Sequence, residues 1–348
     1  MSRHSQLSIP NAEFAALIAG QSSQSLPEDL IAVREVFKTA YAKGMEEHFG
    51  STLPPASEYS VQDYNIPVGD PSDEILIRCL VPSFVNKPRK TFPLLVWYHG
   101  GGWVAGYAAM DDYLLRHICV EMQISVMNVD YRLAPEFPFP TGVNDSYAAL
   151  KWAVCNTALL SVDLSKGFIV SGLSAGGNIA AAIAVRARDD PFFKSQPLTG
   201  QILHSPAVVH MDAYPDKYKD ELKSAEEFAE AEVLRGSSFH WFYGLLRAPA
   251  MDPDISPLLA TTHVGLPPLC MHVSGMDPLR DENFLYTEVL KEQGVRTKLF
   301  VAMVKISWPA TRFRVFLSNY VHFWTILERF QGVHRLAFAH VYPSRASG

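Results

Sequence analysis

The sequence lacks a run of basic residues, a long apolar run and a low-complexity tract. Its 30 Lys and Arg are outnumbered by 36 Asp and Glu, which gives a formal charge of -6 and excludes the basic footprint of a nucleic-acid binder. No segment reaches the roughly 18 uninterrupted apolar residues of a membrane span, and the amino terminus has no signal-peptide pattern. We therefore expect a cytoplasmic protein that binds a small molecule; the sequence does not specify an oligomeric state.

Cysteine is also scarce, with four residues in a chain of 348. Cys79, Cys119, Cys155 and Cys270 lie far apart, each in an apolar segment, and no two of them form a CxxC pair. This pattern predicts four buried free thiols rather than disulfides or metal ligands.

What the sequence does contain is an apolar fraction of 48% arranged in a regular alternation. From residue 74 onward, short apolar runs that are typical of strands alternate with segments of helical periodicity. The strand-like runs are 74–82, 93–99, 124–131, 166–172, 200–209, 267–277 and 297–304, and the clearest helical segments are 146–156, 178–190 and 282–294. Apolar strands separated by helices predict an α/β fold with a mostly parallel sheet.

Two segments do not fit this alternation. Residues 25–48 have helical periodicity before the first strand, and residues 211–248 are too long for a crossover helix, which needs about a dozen residues. We expect one domain over 1–348, with cap elements from about 1–50 and 211–248. Four aromatic residues of the second segment are either walls of a pocket or core packing: Tyr214, Phe239, Trp241 and Phe242.

The most informative motif is Gly172-Leu173-Ser174-Ala175-Gly176, placed after a predicted strand and before an alanine-rich helix. This is the G-x-S-x-G pattern, in which a serine occupies a strained turn between strand and helix, and the glycines avoid steric clashes there. The motif predicts a nucleophilic serine, and its alternative is an ordinary Ser/Gly turn.

A second glycine cluster, His99-Gly100-Gly101-Gly102-Trp103, follows the apolar run LLVWY. Residues without side chains leave backbone N–H groups open to an oxyanion, where one donor typically contributes about 3–4 kcal/mol of transition-state stabilisation. The two glycine clusters together predict a hydrolase, and the alternative for the second cluster is a glycine turn that binds no ligand.

The same glycines also fit a weaker pattern. Gly100-x-Gly102-x-x-Ala105 resembles the dinucleotide-binding fingerprint, and Asp130 ends the next strand where a ribose-binding acid would lie. That hypothesis leaves the serine motif without a role, so a nicotinamide-dependent enzyme stays a distant alternative.

The third element follows the apolar run 267–273. Asp277 comes directly after this strand, at the sheet edge where open α/β folds place functional groups, and is the candidate to orient a histidine. We expect Asp281 and Glu282 to lie in the first turn of the next helix, where the helix dipole favours acidic residues.

Four motifs in this order carry a resemblance to a known family: HGGGW at 99–103, DYRLAPE at 130–136, GLSAGGN at 172–178 and DPLRDE at 277–282. Together they resemble the hormone-sensitive-lipase-like branch of the α/β-hydrolase superfamily, over about residues 74–301. The resemblance implies an eight-stranded, mostly parallel sheet flanked by helices, with a helical cap. It also implies carboxylesterase or lipase activity on short to medium acyl esters, with neither cofactor nor metal.

The resemblance also assigns roles by motif position. It implies that Ser174 is the nucleophile and Asp277 the acid of a catalytic triad. It implies that the backbone amides of Gly101, Gly102 and Ala175 form the oxyanion hole. Gly100, the first glycine of the cluster, shapes the loop. The DYRLAPE motif is structural in such proteins.

The base is harder to identify. The superfamily order is Ser, acid, His, and only His322, His334 and His340 follow the acid. The family pattern places the histidine about 30 residues after the acid, whereas His322 lies 322 − 277 = 45 residues after it. We predict His322 as the general base, following an atypical insertion at 302–319 that is either a genuine loop or translated non-coding sequence.

These observations predict a serine carboxylic ester hydrolase that works through an acyl-enzyme on Ser174. Its aromatic cap and HGGGW motif are compatible with a fungal or bacterial esterase of secondary metabolism. The alternative is a catalytically silent ligand-binding protein on the same scaffold, in which the base has been lost.

Overall fold

The structure is a computed structural model that describes residues 3–9, 26, 28–83, 90–230 and 235–302. Its centre is an eight-stranded sheet in the order β1-β2-β4-β3-β5-β6-β7-β8. The strands are Tyr59–Val68 (β1), Asp70–Pro82 (β2), Leu94–Tyr98 (β3), Ser125–Asp130 (β4), Phe168–Leu173 (β5), Gly200–His204 (β6), Leu269–Ser274 (β7) and Thr297–Ala302 (β8). The β1–β2 and β2–β4 pairs are antiparallel and the other pairs are parallel, so the predicted mostly parallel sheet is confirmed.

The first strand is the one that the sequence did not reveal. Most residues in the first half of β1 are exposed, and apolar side chains become buried only at Ile66 and Val68. Because β1 is an edge strand paired only with β2, it lacks the continuous apolar run by which we recognised the central strands.

Helices connect and cover these strands. They are Leu30–Val36 (α1), Ala42–Phe49 (α2), Asp112–Met122 (α3), Thr141–Cys155 (α4), Ala175–Asp189 (α5), Ser224–Glu227 (α6), Ser238–Leu246 (α7) and Arg280–Glu292 (α8). The alanine-rich α5 has a high intrinsic helix propensity and packs against β3, β5 and β6. Within the described part of the chain, no helix combines the length and apolar character that a membrane crossing requires.

The predicted N-terminal helical segment is confirmed from residue 30 onward. Asp29 caps α1 by accepting a hydrogen bond from the Ala32 N–H, and a five-residue π-helical stretch, Phe37–Tyr41, joins α1 to α2. The apolar face of this segment is buried against the rest of the protein at Val33, Phe37 and Tyr41. The segment therefore packs against the rest of the protein through this apolar face.

The segment 211–248 is less helical than its sequence predicts. The described residues of its acidic first part form two 3₁₀ turns, Met211–Ala213 and Asp216–Tyr218, and the single-turn α6. The aromatic second part forms α7, and residues 231–234 lie outside the described residues.

All four cysteines are free, and three of them are buried as predicted. Burial raises the pKa of the Cys79 and Cys270 thiols to about 12, so both stay protonated and unreactive. The prediction was wrong for Cys155, which is exposed. Cys155 is the last residue of α4. The apolar neighbours that suggested its burial include Ala153, and it is Ala153 that faces the core.

Candidate active site

Ser174 lies at the sharp turn between β5 and α5. Its φ and ψ are 54° and -116°, a conformation that a residue with a side chain rarely adopts, and α5 begins at the next residue. The Ser174 N–H donates to the carbonyl of His204 at the end of β6, at 2.8 Å. The turn therefore holds the half-buried Ser174 at the carboxyl edge of the sheet and next to a helix N-terminus.

Both glycines of the motif are required by close backbone packing. A Cβ on Gly172 would lie 2.4 Å from the carbonyl carbon of Gly176, and a Cβ on Gly176 would lie 2.0 Å from the carbonyl oxygen of Tyr98. The strand-turn-helix geometry predicted for the G-x-S-x-G motif is thus present in the structure.

The loop after β3 lies directly beside this turn. A Cβ on Gly100 would be 3.1 Å from the Leu173 carbonyl oxygen, and a Cβ on Gly176 would be 2.4 Å from that of His99. Gly101 and Gly102 have φ values of 125° and 61°, which favour glycine. The two glycine clusters, about 70 residues apart in the sequence, therefore meet at one point, with Ala175 opening the adjacent helix.

The helix α7 covers this loop. A Cβ on Gly102 would lie 2.4 Å from the ring of Phe242, and the ring of Tyr243 lies 5.3 Å from that of Trp103. Of the aromatic residues that we considered as pocket walls, Phe242 therefore contacts the glycine loop after β3, which is the candidate oxyanion loop. Phe239 is buried, and Tyr214 bonds to α8.

Asp277 lies three residues after the end of β7 and is buried. One of its carboxylate oxygens accepts a hydrogen bond from the Leu279 N–H at 2.8 Å, which fixes the side chain. Two residues earlier, the Gly275 N–H donates to the carbonyl of Ala302, the last residue of β8. The acid thus follows a residue that is bonded to the end of β8, and it lies on the same sheet edge as Ser174.

The three candidate bases, His322, His334 and His340, lie outside the described residues, as does most of the predicted insertion at 302–319. Within the described residues, His204 and His272 form a buried pair on neighbouring strands, with 2.8 Å between their Nδ1 atoms. Burial holds the pKa of His204 well below its usual range, so this imidazole is neutral. Both precede the acid in the chain, unlike the base of the predicted triad.

The residues that follow Asp277 bind the segment 211–248, which sequence reasoning missed. The fully buried Arg280 donates to Glu227 of that segment at 2.7 Å and to the Gly275 carbonyl at 3.1 Å. Asp281 accepts hydrogen bonds from the N–H groups of Lys223 and Ser224. Asp281 and Glu282 do lie in the first turn of α8 as predicted, but their buried contacts determine their role more than the helix dipole does.

Glu282 links α8 to two positions in the chain that follows β6. Its carboxyl group accepts hydrogen bonds from the Val208 N–H at 2.7 Å and from the Tyr214 hydroxyl at 3.3 Å. Burial raises its pKa from the usual value of 4.5 to about 8, because these donors only partly replace the water lost. At neutral pH the folded protein therefore keeps Glu282 protonated.

This raised pKa predicts a pH-dependent stability. As pH rises from about 4.5 to 8, the unfolded chain loses the Glu282 proton and the folded chain keeps it, so the free energy of unfolding falls. We expect Glu282→Gln to remove about 2–4 kcal/mol of that fall, measured by urea unfolding from pH 5 to 8. The exposed Glu292→Gln on the same helix is the matched control. Parallel pH curves for wild type and Glu282→Gln would contradict the prediction.

The geometry does not suit the dinucleotide alternative. In that fold a helix N-terminus directly follows the glycines, whereas α3 begins at Asp112, ten residues after Gly102. Asp130 is already engaged, since it accepts a hydrogen bond from the Ala108 N–H at 3.0 Å and lies 3.8 Å from His99. The glycine loop is therefore not followed directly by a helix N-terminus, and Asp130 already binds other groups of the protein.

A strained serine turn, an adjoining glycine loop and a buried acid on one edge of a mostly parallel sheet define a serine hydrolase of α/β architecture. The sequence profile described as alpha/beta hydrolase fold matches residues 95–304, more than half of the chain. The chain belongs to this family, and the resemblance predicted from the four motifs is confirmed.

Individual relatives agree with this assignment. The chain is similar to versiconal hemiacetal acetate esterase of Dothistroma septosporum, with 34% identity over 263 residues, 75% of this chain and 77% of the relative. It is 38% identical to carboxylesterase NlhH of Mycobacterium tuberculosis over 234 residues, 65% of this chain and 68% of the relative. Its fold resembles the crystal structure of vibralactone cyclase, with a TM-score of 0.85, 37% identity and coverage of 94% and 95% of the two chains.

Proposed function

We propose that this chain is a serine carboxylic ester hydrolase that cleaves short to medium acyl esters through an acyl-enzyme on Ser174. The observation that carries the proposal is the contact between the serine turn and the glycine loop, which brings a candidate nucleophile beside backbone N–H groups. The named esterases among its relatives support the same reaction class.

In the proposed mechanism the Ser174 hydroxyl attacks the ester carbonyl carbon while a histidine takes its proton. The carbonyl oxygen becomes an oxyanion that accepts hydrogen bonds from the backbone N–H groups of Gly101, Gly102 and Ala175. The histidine returns the proton to the leaving alcohol, and water then releases the acid by the same steps. Asp277 orients the histidine and stabilises its imidazolium.

The proposed site belongs to one domain that runs through the whole chain, with cap elements from about 1–50 and 211–248. Three contacts of the described residues support this division. The segment around α1 is docked, α7 covers the oxyanion loop, and Arg280 and Asp281 bind the second cap element. The cap would then enclose a small ester, and its aromatic side chains would limit the size of the acyl or alcohol part.

A fluorophosphonate probe and a series of p-nitrophenyl esters test the proposal directly. We expect stoichiometric labelling at Ser174 and turnover of the acetate and butanoate esters, with slower turnover of long acyl chains. The silent ligand-binding alternative predicts neither labelling nor turnover, because a serine without a base is not activated. Labelling located by peptide mass spectrometry at a serine other than Ser174 would also contradict the proposal.

For the base, we expect His322→Ala to lower kcat for p-nitrophenyl butanoate by at least about 10³-fold, because Ser174 then has no proton acceptor. His334→Ala and His340→Ala are the controls and should keep near wild-type kcat. If His334→Ala alone loses activity, the proposed base is wrong. Sequencing of the transcript across codons 301–320 tests separately whether the insertion at 302–319 is translated from a genuine exon.

A further inference from the structure

The loop after β3 has a costly backbone conformation. Gly101, Gly102 and Trp103 all have positive φ, at 125°, 61° and 63°. For Trp103, which carries a large side chain, the left-handed region costs on the order of 1–2 kcal/mol. Such a conformation persists only when neighbouring groups fix it, so the groups that hold the loop's carbonyl oxygens decide where its N–H groups point.

Two of these carbonyls are held from outside the loop. The Trp103 carbonyl accepts a hydrogen bond from the Ala134 N–H at 3.0 Å. The Val104 carbonyl accepts one from Nε of Arg34 at 2.8 Å, and Nη2 of Arg34 also donates to the Ala134 carbonyl at 3.1 Å. Arg34 of α1 therefore joins the glycine loop to the turn at Ala134.

Glu136 holds the guanidinium in this position. Its two carboxylate oxygens accept from Nη1 and Nη2 of Arg34 at 2.8 Å and 2.6 Å. Arg34 lowers the pKa of Glu136 to about 2, so the pair stays charged at any pH suited to an esterase assay. Only a planar guanidinium can make all of these bonds at once, since a lysine ammonium is a single point donor.

The helix that carries Arg34 is anchored by other contacts as well. Val33, Phe37 and Tyr41 are buried, and the Tyr41 hydroxyl donates to the buried Asp111. Removal of the Arg34 side chain therefore leaves α1 docked and breaks only its bonds to the two loops.

We propose that Arg34 is a positioning residue for ester cleavage, which acts from the N-terminal helix by fixing the oxyanion loop through the Val104 carbonyl. The inference rests on the proposed function, because it concerns the N–H groups that would bind the oxyanion. Under this proposal, ester cleavage depends on a residue of the N-terminal segment, about 70 residues before the loop in sequence.

The test compares Arg34→Met and Arg34→Lys with Lys43→Met, which removes an exposed charge from the same N-terminal segment. Three quantities are measured: kcat and KM for p-nitrophenyl butanoate, and Ki for a trifluoromethyl ketone. The ketone carbon accepts the Ser174 oxygen while the serine proton passes to the base, and the resulting oxyanion occupies the oxyanion hole. Titration with a fluorophosphonate gives the concentration of folded sites.

We expect Arg34→Met to lower kcat about 10- to 100-fold and to raise Ki by the same factor, with KM changed less than about 3-fold. Millimolar guanidinium should restore part of kcat. Arg34→Lys should also be impaired, and Lys43→Met should match wild type. A merely structural role would lower the titrated site concentration and leave kcat per site and Ki unchanged, and that result would overturn the proposal.

If Arg34→Met does not fold, Glu136→Gln gives the deciding measurement, because it loosens the guanidinium without removing it. We expect a fall in kcat of about 3- to 10-fold with a parallel rise in Ki. Unchanged kcat and Ki in Glu136→Gln would overturn the proposal. A wild-type protein that neither cleaves the ester nor binds the ketone would contradict the proposed function instead.

Discussion

Ser174→Ala should lower kcat for p-nitrophenyl butanoate by at least about 10⁴-fold, because no other group in the proposed mechanism can form the acyl-enzyme. Any residual rate would come from the oxyanion hole and substrate binding alone. The substitution should leave stability nearly unchanged, since alanine meets the same left-handed backbone penalty as serine and the turn's bonds are made by backbone groups. Steady-state assays and thermal unfolding of the same preparation measure both effects.

Ser205 offers a closely matched control. It follows β6 as Ser174 follows β5, it has a φ of 42°, and its hydroxyl lies 3.4 Å from that of Ser274. We expect Ser205→Ala to keep kcat within about 3-fold of wild type, since the proposed mechanism gives Ser205 no step. Equal losses in both variants would mean that the strained turns support the fold and that neither serine is the nucleophile. Full activity in Ser174→Ala would rule out the assignment outright.

The central part of the fold was predictable because local pattern and global structure agree there. The apolar runs that became β3 to β7 are buried on both faces, and the motif at 172–176 contains the glycines that its close packing requires. The edge strand β1 was not predictable in this way, because a half-exposed strand carries a weaker apolar pattern.

The contacts that support the candidate site were less visible in the sequence. Arg34 and Glu136 lie 102 residues apart, and neither position shows that the two side chains bind one another beside the oxyanion loop. The position of Glu282 suggested a favourable interaction with the helix dipole, whereas in the structure its carboxyl group binds Val208 and Tyr214 in the chain that follows β6. A sequence motif identifies residues that lie in one short segment. Hydrogen bonds between distant segments, such as those of Arg34 and Glu282, depend on tertiary packing that sequence spacing does not encode.

The proposed oxyanion loop gives the second prediction with a large expected effect. At Gly101 the φ of 125° strains any residue with a side chain, and an added Cβ would lie 2.1 Å from the Ala105 carbonyl oxygen. The loop must therefore shift if Gly101 is replaced by Ala, and its N–H groups would leave the position that the oxyanion needs. Since loss of one oxyanion donor costs about 10²- to 10³-fold in kcat, we expect a decrease of at least this size.

Gly244→Ala separates this steric effect from the general cost of changing a glycine near the site. Gly244 lies on α7, the helix that covers the same loop, and an added Cβ would meet nothing within 4 Å. Alanine there should leave kcat unchanged and stabilise the helix by about 0.5–1 kcal/mol. Because the displaced donors act on the transition state, Gly101→Ala should weaken trifluoromethyl ketone binding in proportion to kcat while KM changes little. A folded Gly101→Ala protein with kcat within about 3-fold of wild type would show that the N–H groups of this loop do not bind the oxyanion.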